Sequence, residues 1–407
     1  MMNLRTALRQ PSGVNARGGA FTIGHFDSIE SWGLLEPQWQ PILAETPNAT
    51  VFQTYPYLRT WWDCLGAASR LLIIVVLRED SPIAIAPLQI SSVRQLGMPV
   101  RTVSFIGQPS ESDRPTLLGA VNKEAACAVA DYLMEIRTLW DSIQLFEQPA
   151  DSELLHALRD RLRRAGYLVR KIDGNECPYI AITGSWNEYL ATRTKAFRKS
   201  LKRRRAQLTA LGRVELETVD ANAAMSALER YRAVEDRSWK RAKNLGIARS
   251  PRHWNFYCEL GAHDGLSNWL RFRFLKLNGR DIAATFGFLW RGRFYSLHVA
   301  HDAAYSSASP GVVLTALELE TVFAQGECRD FDFLGGFLTN KRGWASGSQR
   351  TTALFGDRPR WRAHAFHFAF FRIKPIARRL LAEAGVLERV TQVLRQIRRS
   401  RKQPVES

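Results

Sequence analysis

The alternation of apolar and polar residues is most regular between Trp269 and Gly335. In LRFRFLKL, Leu270, Phe272 and Phe274 alternate with Arg271 and Arg273, the period-two signature of a strand with one buried face. Asn278-Gly279 then predicts a tight hairpin into DIAATFGFLW, and Arg291-Gly292 a second turn into RFYSLHVA. After HDAAYSSASPG the period lengthens. Val312, Ala316, Leu319 and Phe323 fall on one face of a predicted helix, with Gly326 positioned to cap it. CRDFDFLGG alternates again, Phe331 and Phe333 against Asp330 and Asp332, and reads as a strand returning to the same sheet. This order brings the start of the helix, Ser309-Pro310-Gly311, beside the meander.

The first half repeats the order without obvious identity: LLIIVVLRE, a turn at Asp80-Ser81-Pro82, IAIAPLQI, TVSFIG, a helix from about Asn122 to Leu139, and the strand DSIQLF. Two related α+β domains are expected. Between them, GSWNEYLATRTKAFRKSLKRRRAQLTALG predicts a helix opening at Ser185, and AAMSALERYRAVEDRSWKRAKNLG a second ending at Gly246. HAFHFAFF, with His364 and His367, reads as an aromatic-rich strand. From Ile376 to Lys402, Leu387, Val390, Leu394 and Ile397 recur at heptad-like spacing and predict a basic helical tail. Such a tail either closes the domain or docks peripherally on an acidic membrane face.

A chain of 407 residues exceeds one ordinary core, which agrees with two domains. Hydrophobic content of 45% and charged content of 24% are those of a folded globular protein, not a disordered or fibrous one. The formal net charge of +18 implies an anionic partner: a coenzyme phosphate, a phosphorylated substrate, an acidic headgroup or nucleic acid. The five cysteines are scattered, odd in number and never paired as CxxC, which points to a reducing compartment. With neither a signal-peptide core nor an apolar run of about 18 residues, a cytoplasmic location is expected.

VFQTYPYLRTWWDCLG, IAIAPLQI, AFRKSLKRRRAQL, DAAYSSASPG and FDFLGG followed by NKRGW together resemble GNAT-superfamily acyltransferases of the CelD type. That branch is similar to the Fem-type aminoacyltransferases, which carry tandem GNAT folds. The resemblance runs from about Trp39 to Trp344. It implies tandem α+β GNAT-like domains at residues 20–180 and 181–375, each a mixed, mainly antiparallel twisted sheet flanked by helices, followed by the tail at 376–407. It also implies transfer from an acyl-CoA such as acetyl-CoA, often in extracellular polysaccharide synthesis. The sequence departs from the family after the last strand, where Gly335-Gly336-Phe337-Leu338-Thr339-Asn340 stands in place of a charged or tyrosine-containing segment.

Acyl transfer from a thioester needs donors for the coenzyme diphosphate, a polarised carbonyl and a route for the nucleophile's proton. The helix opening at Ser309, Gly311 and Val312, with Tyr305 in the preceding loop, offers amides and a positive dipole end to an anion. By the resemblance, main-chain amides near Leu297 to Val299 line the pantetheine arm. His298 is the candidate general base, with Asp332 an alternative and Glu235 and Asp236 behind it. Trp239, Lys341 and Trp344 are the candidate acceptor-binding residues, the last two matching the family's motif. His298 and His301 are expected on opposite faces of their strand, so no metal site is expected. In the first half, the loop GQPSESDRP puts Glu111 and Asp113 where a diphosphate would approach, which predicts a degenerate copy. Attack is expected to be direct, by an amine or hydroxyl of a small molecule or glycan precursor. The basic run Lys195 to Arg205 lacks interleaved tryptophan or tyrosine, so nucleic acid is not the expected partner. Two alternatives stand: a Fem-like transferase using aminoacyl-tRNA, and a non-catalytic scaffold of a polysaccharide-synthesis complex.

Overall fold

The Asn-Gly and Arg-Gly turns form the hairpins that their chemistry demands. Asn278 and Gly279 have φ of 51° and 81°, and Arg291 and Gly292 have φ of 50° and 72°, the paired positive values that match the twist of adjoining strands. The computed structural model describes residues 4–16, 19–120, 123–219, 221–335, 339–374, 376 and 380.

In the first half the strands are β1 (Arg9–Ala16), β2 (Gly19–Phe26), β3 (Ser69–Arg78), β4 (Ser81–Gln95), β5 (Met98–Phe105), β6 (Ser142–Pro149) and β7 (Leu168–Ala181). Helices α1 (Tyr55–Leu65), α2 (Lys123–Glu135) and α3 (Glu153–Arg164) follow β2, β5 and β6 respectively. The helices that follow are α4 (Trp186–Ala191), α5 (Lys195–Thr209), α6 (Ala224–Asp236), α7 (Trp239–Lys243) and α8 (Pro251–Ala262), with β8 (Val214–Val219) between α5 and α6. The meander is β9 (Leu270–Leu277), β10 (Arg280–Trp290) and β11 (Arg293–His301). Helix α9 (Pro310–Gln325), β12 (Asp330–Asp332), β13 (Gly347–Asp357) and α10 (Trp361–Phe368) follow among the described residues.

One 13-stranded sheet runs through both halves, in the order β1-β2-β3-β4-β5-β6-β13-β7-β12-β11-β10-β9-β8. Each half contains three antiparallel strands, a helix, and a strand parallel to the third: β5 with β6, and β11 with β12. The repeated order predicted from the sequence is present. Strand β13, which lies near the C-terminal end of the described chain, inserts between β6 and β7 and pairs with both. Nothing in local periodicity announces that insertion, because register between distant strands is set by packing.

On one face of the second half, α6 and α8 pack with α1 over Phe272, Ala284, Phe286, Phe288 and Tyr295. On the other, α9 and α5 cover Leu275, Ile282, Ala283 and Phe294. A buried pair, Arg273 Nη1 with Glu318 Oε1 at 3.0 Å, ties the meander to α9.

Three local expectations need correction. The segment opening at Ser185 is two helices, α4 and α5, because Thr194 caps the second by accepting from the Phe197 amide. Ser185 itself caps α4 in a capping box with Glu188. The next predicted helix breaks at Ser238, which caps α7, and ends at Asn244 with φ of 52°, before Gly246. HAFHFAFF belongs to helical turns, not a strand. Its alternating rings also satisfy i,i+4 spacing, with Phe366 stacked on Phe370 at 5.3 Å and Phe371 packed edge-on to Phe355 of β13. The tail predicted from Ile376 to Lys402 lies, apart from Ile376 and Leu380, outside the described residues.

Candidate functional site

Strands β11 and β12 pair in parallel at Arg293 with Asp330, Phe294 with Phe331, and Tyr295 with Asp332, and then part. Strand β11 continues to His301, whereas the Phe333 amide turns to the Pro178 carbonyl. Beyond Tyr295, β11 therefore has no pairing from β12, and its edge lines a wedge between the two strands.

A β-bulge sits at the mouth of that wedge. The β10–β11 register passes from Phe286 opposite His298 to Gly287 opposite Ser296, leaving Leu297 as the extra residue. Gly287 makes this close approach feasible: a Cβ built there would lie 2.0 Å from the Tyr295 carbonyl oxygen. The bulge breaks strict alternation. Leu297 packs with the α6/α8 core, and the His298 ring meets Tyr231 of α6 and Tyr257 of α8 on that same face, whereas Val299 packs on the α9 side.

Helix α9 opens near the end of β11. Its N-cap, Ser309, adopts φ of 53°, and Pro310 fills the first turn, where a missing N–H costs nothing. A Cβ added at Gly311 would touch only His301 Nδ1, at 3.5 Å, so the approach to this turn is open. The expectation for Val312 needs revision. Its amide donates to the Ser309 carbonyl at 3.0 Å, and the Val313 amide donates to the same oxygen at 3.3 Å. Gly311 thus offers the first turn's available N–H, backed by the helix dipole. Tyr305 lies in the turn Ala303–Ala308 and packs against the α9 core.

His298 is half-buried, and its Nε2 lies 2.7 Å from the Tyr257 hydroxyl. That hydroxyl donates to Glu111 Oε2 at 2.9 Å, and the other Glu111 oxygen is ion-paired with Arg249. Burial, reinforced by the positive charges of Lys240 and Arg249, holds the imidazole pKa well below its ordinary value and keeps the ring neutral. Burial and then Glu111 push the Tyr257 phenol well above its ordinary range, so it keeps its proton.

Asp332 is buried and already paired. Its Oδ2 receives Arg114 Nη2 at 2.8 Å and lies 3.8 Å from Arg293 Nη1, while Oδ1 accepts the Leu334 amide. Glu235 accepts the Ile247 amide at 2.7 Å and the Tyr231 hydroxyl at 3.2 Å, with Lys240 Nζ at 3.6 Å. Asp236 is exposed and bound to Arg241. These contacts engage both carboxylate oxygens of Asp332 and of Glu235, whereas the hydrogen bond of His298 is made through Nε2.

Of the candidate acceptor residues, Trp239 is 47% exposed with Lys243 over its ring. Lys341 donates to the Phe333 carbonyl at 2.7 Å, and burial lowers its pKa. Trp344 is buried edge-on against Phe197 at 4.8 Å and serves as a packing residue that docks α5. The basic side chains of α5 fan outward, with Lys195, Arg198, Lys199, Lys202, Arg203 and Arg205 exposed. Residues 336–338 lie outside the described residues.

The loop GQPSESDRP behaves unlike the expectation for it. Its acids do not face a free anion-binding gap in the first half. Instead the loop crosses to the second half, where Glu111 meets Arg249 and Tyr257, Asp113 accepts the Gly335 amide at 2.8 Å, and Arg114 binds Asp332. Opposite charges and buried donors consume the carboxylates there. Sequence reading missed Glu111, Tyr257, Arg249 and Gly287 as site components. Only Gly287 left a local signal, an isolated glycine inside a strand pattern.

Among the described residues, no group of three or more His, Cys, Asp or Glu side chains lies close enough to hold a metal ion. Among the same residues, no helix is long and apolar enough to cross a membrane.

With the parted strands, the bulge and the helix start in place, residues 195–342 match the family model described as an acetyltransferase (GNAT) domain. That matched segment is similar to GNAT domains, a class that uses acyl-CoA thioesters as donors. Among solved structures, FemX is similar with a TM-score of 0.52 and 12% identity, over 78% of this chain and 95% of its own. A conserved protein of unknown function from Bacteroides thetaiotaomicron is similar with a TM-score of 0.50 and 10% identity, over 83% of this chain and 100% of its own. At such identities the likeness is one of fold, here a mixed α+β, GNAT-like sheet flanked by helices. None of the curated proteins compared with the chain matches it.

Proposed function

We propose that this protein transfers an acyl group, acetyl in the simplest case, from acyl-CoA to an amine or hydroxyl of a small molecule or glycan precursor. The observation that carries the reading is the wedge: β11 leaves β12 beyond Tyr295, bulges at Leu297, and ends beside the open first turn of α9. A thioester arm laid along the free edge of β11 would find unpaired backbone there, and its diphosphate would meet the Gly311 N–H and the positive end of α9. Amides of the bulge are suited to hold the developing oxyanion.

In the proposed step, the acceptor nitrogen or oxygen bonds to the thioester carbon, and its proton passes to the His298 imidazole. The tetrahedral intermediate then expels the thiolate, which takes that proton to leave as the free thiol. No enzyme thioester is needed. The cysteines support this direct route: Cys328 is buried, its thiol pushed up to about 12 by desolvation, and burial also raises Cys258. The glycan-precursor class rests on the resemblance to CelD-type proteins.

The test is release of free CoA thiol from acetyl-, succinyl- and longer acyl-CoAs in the presence of amine and hydroxyl acceptors, followed with a thiol reagent. Acceptor-dependent release that falls on the order of 10²-fold in His298→Gln is the expected result. Binding of no acyl-CoA, or a trapped acyl-cysteine enzyme, would overturn the proposal.

A further inference from the structure

The N-terminal half supplies a side chain to the proton path of the C-terminal half. We infer that Glu111, acting through the Tyr257 hydroxyl, holds His298 in the tautomer with hydrogen on Nε2, so that Nδ1 is the atom that accepts a proton. This rests on the acyl-transfer reading for the proton's source, but the relay itself is a matter of hydrogen-bond bookkeeping at three side chains.

Glu111 is ion-paired with Arg249 on one oxygen, so it is a carboxylate and can only accept on the other. The Tyr257 hydroxyl has one hydrogen, and the carboxylate 2.9 Å away takes it. The phenolic oxygen is then an acceptor toward its remaining neighbour, His298 Nε2, at 2.7 Å. Nε2 must therefore carry the ring's hydrogen, and in a neutral imidazole Nδ1 is left with the lone pair. Among the described residues, no hydrogen bond engages Nδ1.

Packing fixes the ring as well as its tautomer. Phe286 lies against it at 5.3 Å, and Tyr257 stands edge-on at 5.3 Å. The charged and titratable groups facing it are Tyr231 from α6, Lys240 from α7, Tyr257 from α8, and Glu111 with Arg249 from the two adjoining loops. Glu111 is itself anchored by its backbone, since its carbonyl accepts the Tyr57 hydroxyl at 2.7 Å. Glu111 and Tyr257 are thus positioning residues. When the ring takes a proton on Nδ1, the Nε2–H to Tyr257 to Glu111 chain lets the carboxylate stabilise the imidazolium without contact. The loop that looked like a degenerate coenzyme site is the part that makes the second half complete.

The experiment is nitrogen-15 NMR of the histidine-labelled full-length protein near neutral pH, with His298 assigned by its loss in His298→Gln. The expected wild-type signal is that of an Nε2–H tautomer. Tyr257→Phe keeps the ring packing and should yield a mixture of tautomers. Glu111→Gln should move the population toward Nδ1–H, because the amide can donate to the phenol and so turn its hydrogen toward Nε2. A wild-type Nδ1–H tautomer, or a Tyr257→Phe spectrum identical to wild type, would overturn the relay. Turnover separates the two readings. Both positioning variants should lower kcat roughly tenfold or more and alter its pH profile while leaving KM for the acyl donor unchanged. An Nε2–H spectrum together with full activity in His298→Gln would leave the relay standing but remove Nδ1 as the proton acceptor.

Discussion

Arg114 is the firmest prediction, because its surroundings fix both the sign and the size of the effect. Its side chain is 5% exposed and faces two carboxylates, Asp113 at 2.7 Å and Asp332 at 2.8 Å, whose own side chains are 11% and 1% exposed. Nη1 also donates to Gln349 of β13 at 2.9 Å, so one guanidinium joins the crossing loop, β12 and β13. Arg114→Met keeps most of the aliphatic stem but leaves two buried acids facing each other. Breaking a buried pair by removing one partner costs about 3–5 kcal/mol. Arg293, 3.8 Å from Asp332, offsets part of that loss, which favours the lower end of the range. Urea unfolding of Arg114→Met, Asp332→Leu and the double variant supplies the assay. The single arginine variant should lose about 3 kcal/mol, and the double should recover at least about 1.5 kcal/mol of the summed losses, since Asp332 is then no longer a buried acid left without its arginine, while Asp113 keeps the Gly335 amide. A loss below about 1 kcal/mol, or strictly additive variants, would refute the claim that this pair bridges the halves.

Gly287→Ala would drive a methyl into the Tyr295 carbonyl, so it should cost about 1–3 kcal/mol and weaken acyl-CoA binding by displacing the bulge; unchanged unfolding and calorimetric titrations would count against the bulge as a built feature. His298 makes a pH prediction whose sign follows from its depressed pKa. The unfolded chain binds this proton below about pH 6.5 while the native ring resists it, so wild type loses stability as pH falls from that value toward the folded pKa. Relative to His298→Gln, wild type should lose about 1 kcal/mol between pH 7.5 and 5.5, and parallel stability curves would contradict a half-buried imidazole kept neutral.

Much of the second half was legible because its signals are local. The Asn278-Gly279 and Arg291-Gly292 turns, the alternation of Leu270, Phe272 and Phe274, and the helical face of Val312, Ala316, Leu319 and Phe323 each reflect a neighbour-to-neighbour constraint. His298 was legible as a candidate, and the structure gives it partners. Those partners were not legible, since Glu111 arrives from a loop 187 positions away and Tyr257 from a helix whose tyrosine reads as ordinary core. Asp332 looked available because alternation shows which face a side chain takes but not that Arg114 waits there. The Leu297 bulge escaped notice for a related reason: the pattern LHVA is compatible with unbroken pairing, and only the missing Cβ at Gly287 hints otherwise.

In the proposed enzyme the wedge between β11 and β12 receives the acyl-CoA. Amide hydrogen exchange of the full-length protein, with and without acetyl-CoA, tests it most directly. Bound donor should slow exchange in the peptides covering residues 296–301 and 309–313, with β1 to β5 unchanged. Protection confined to other segments, or none at saturating donor, would contradict it.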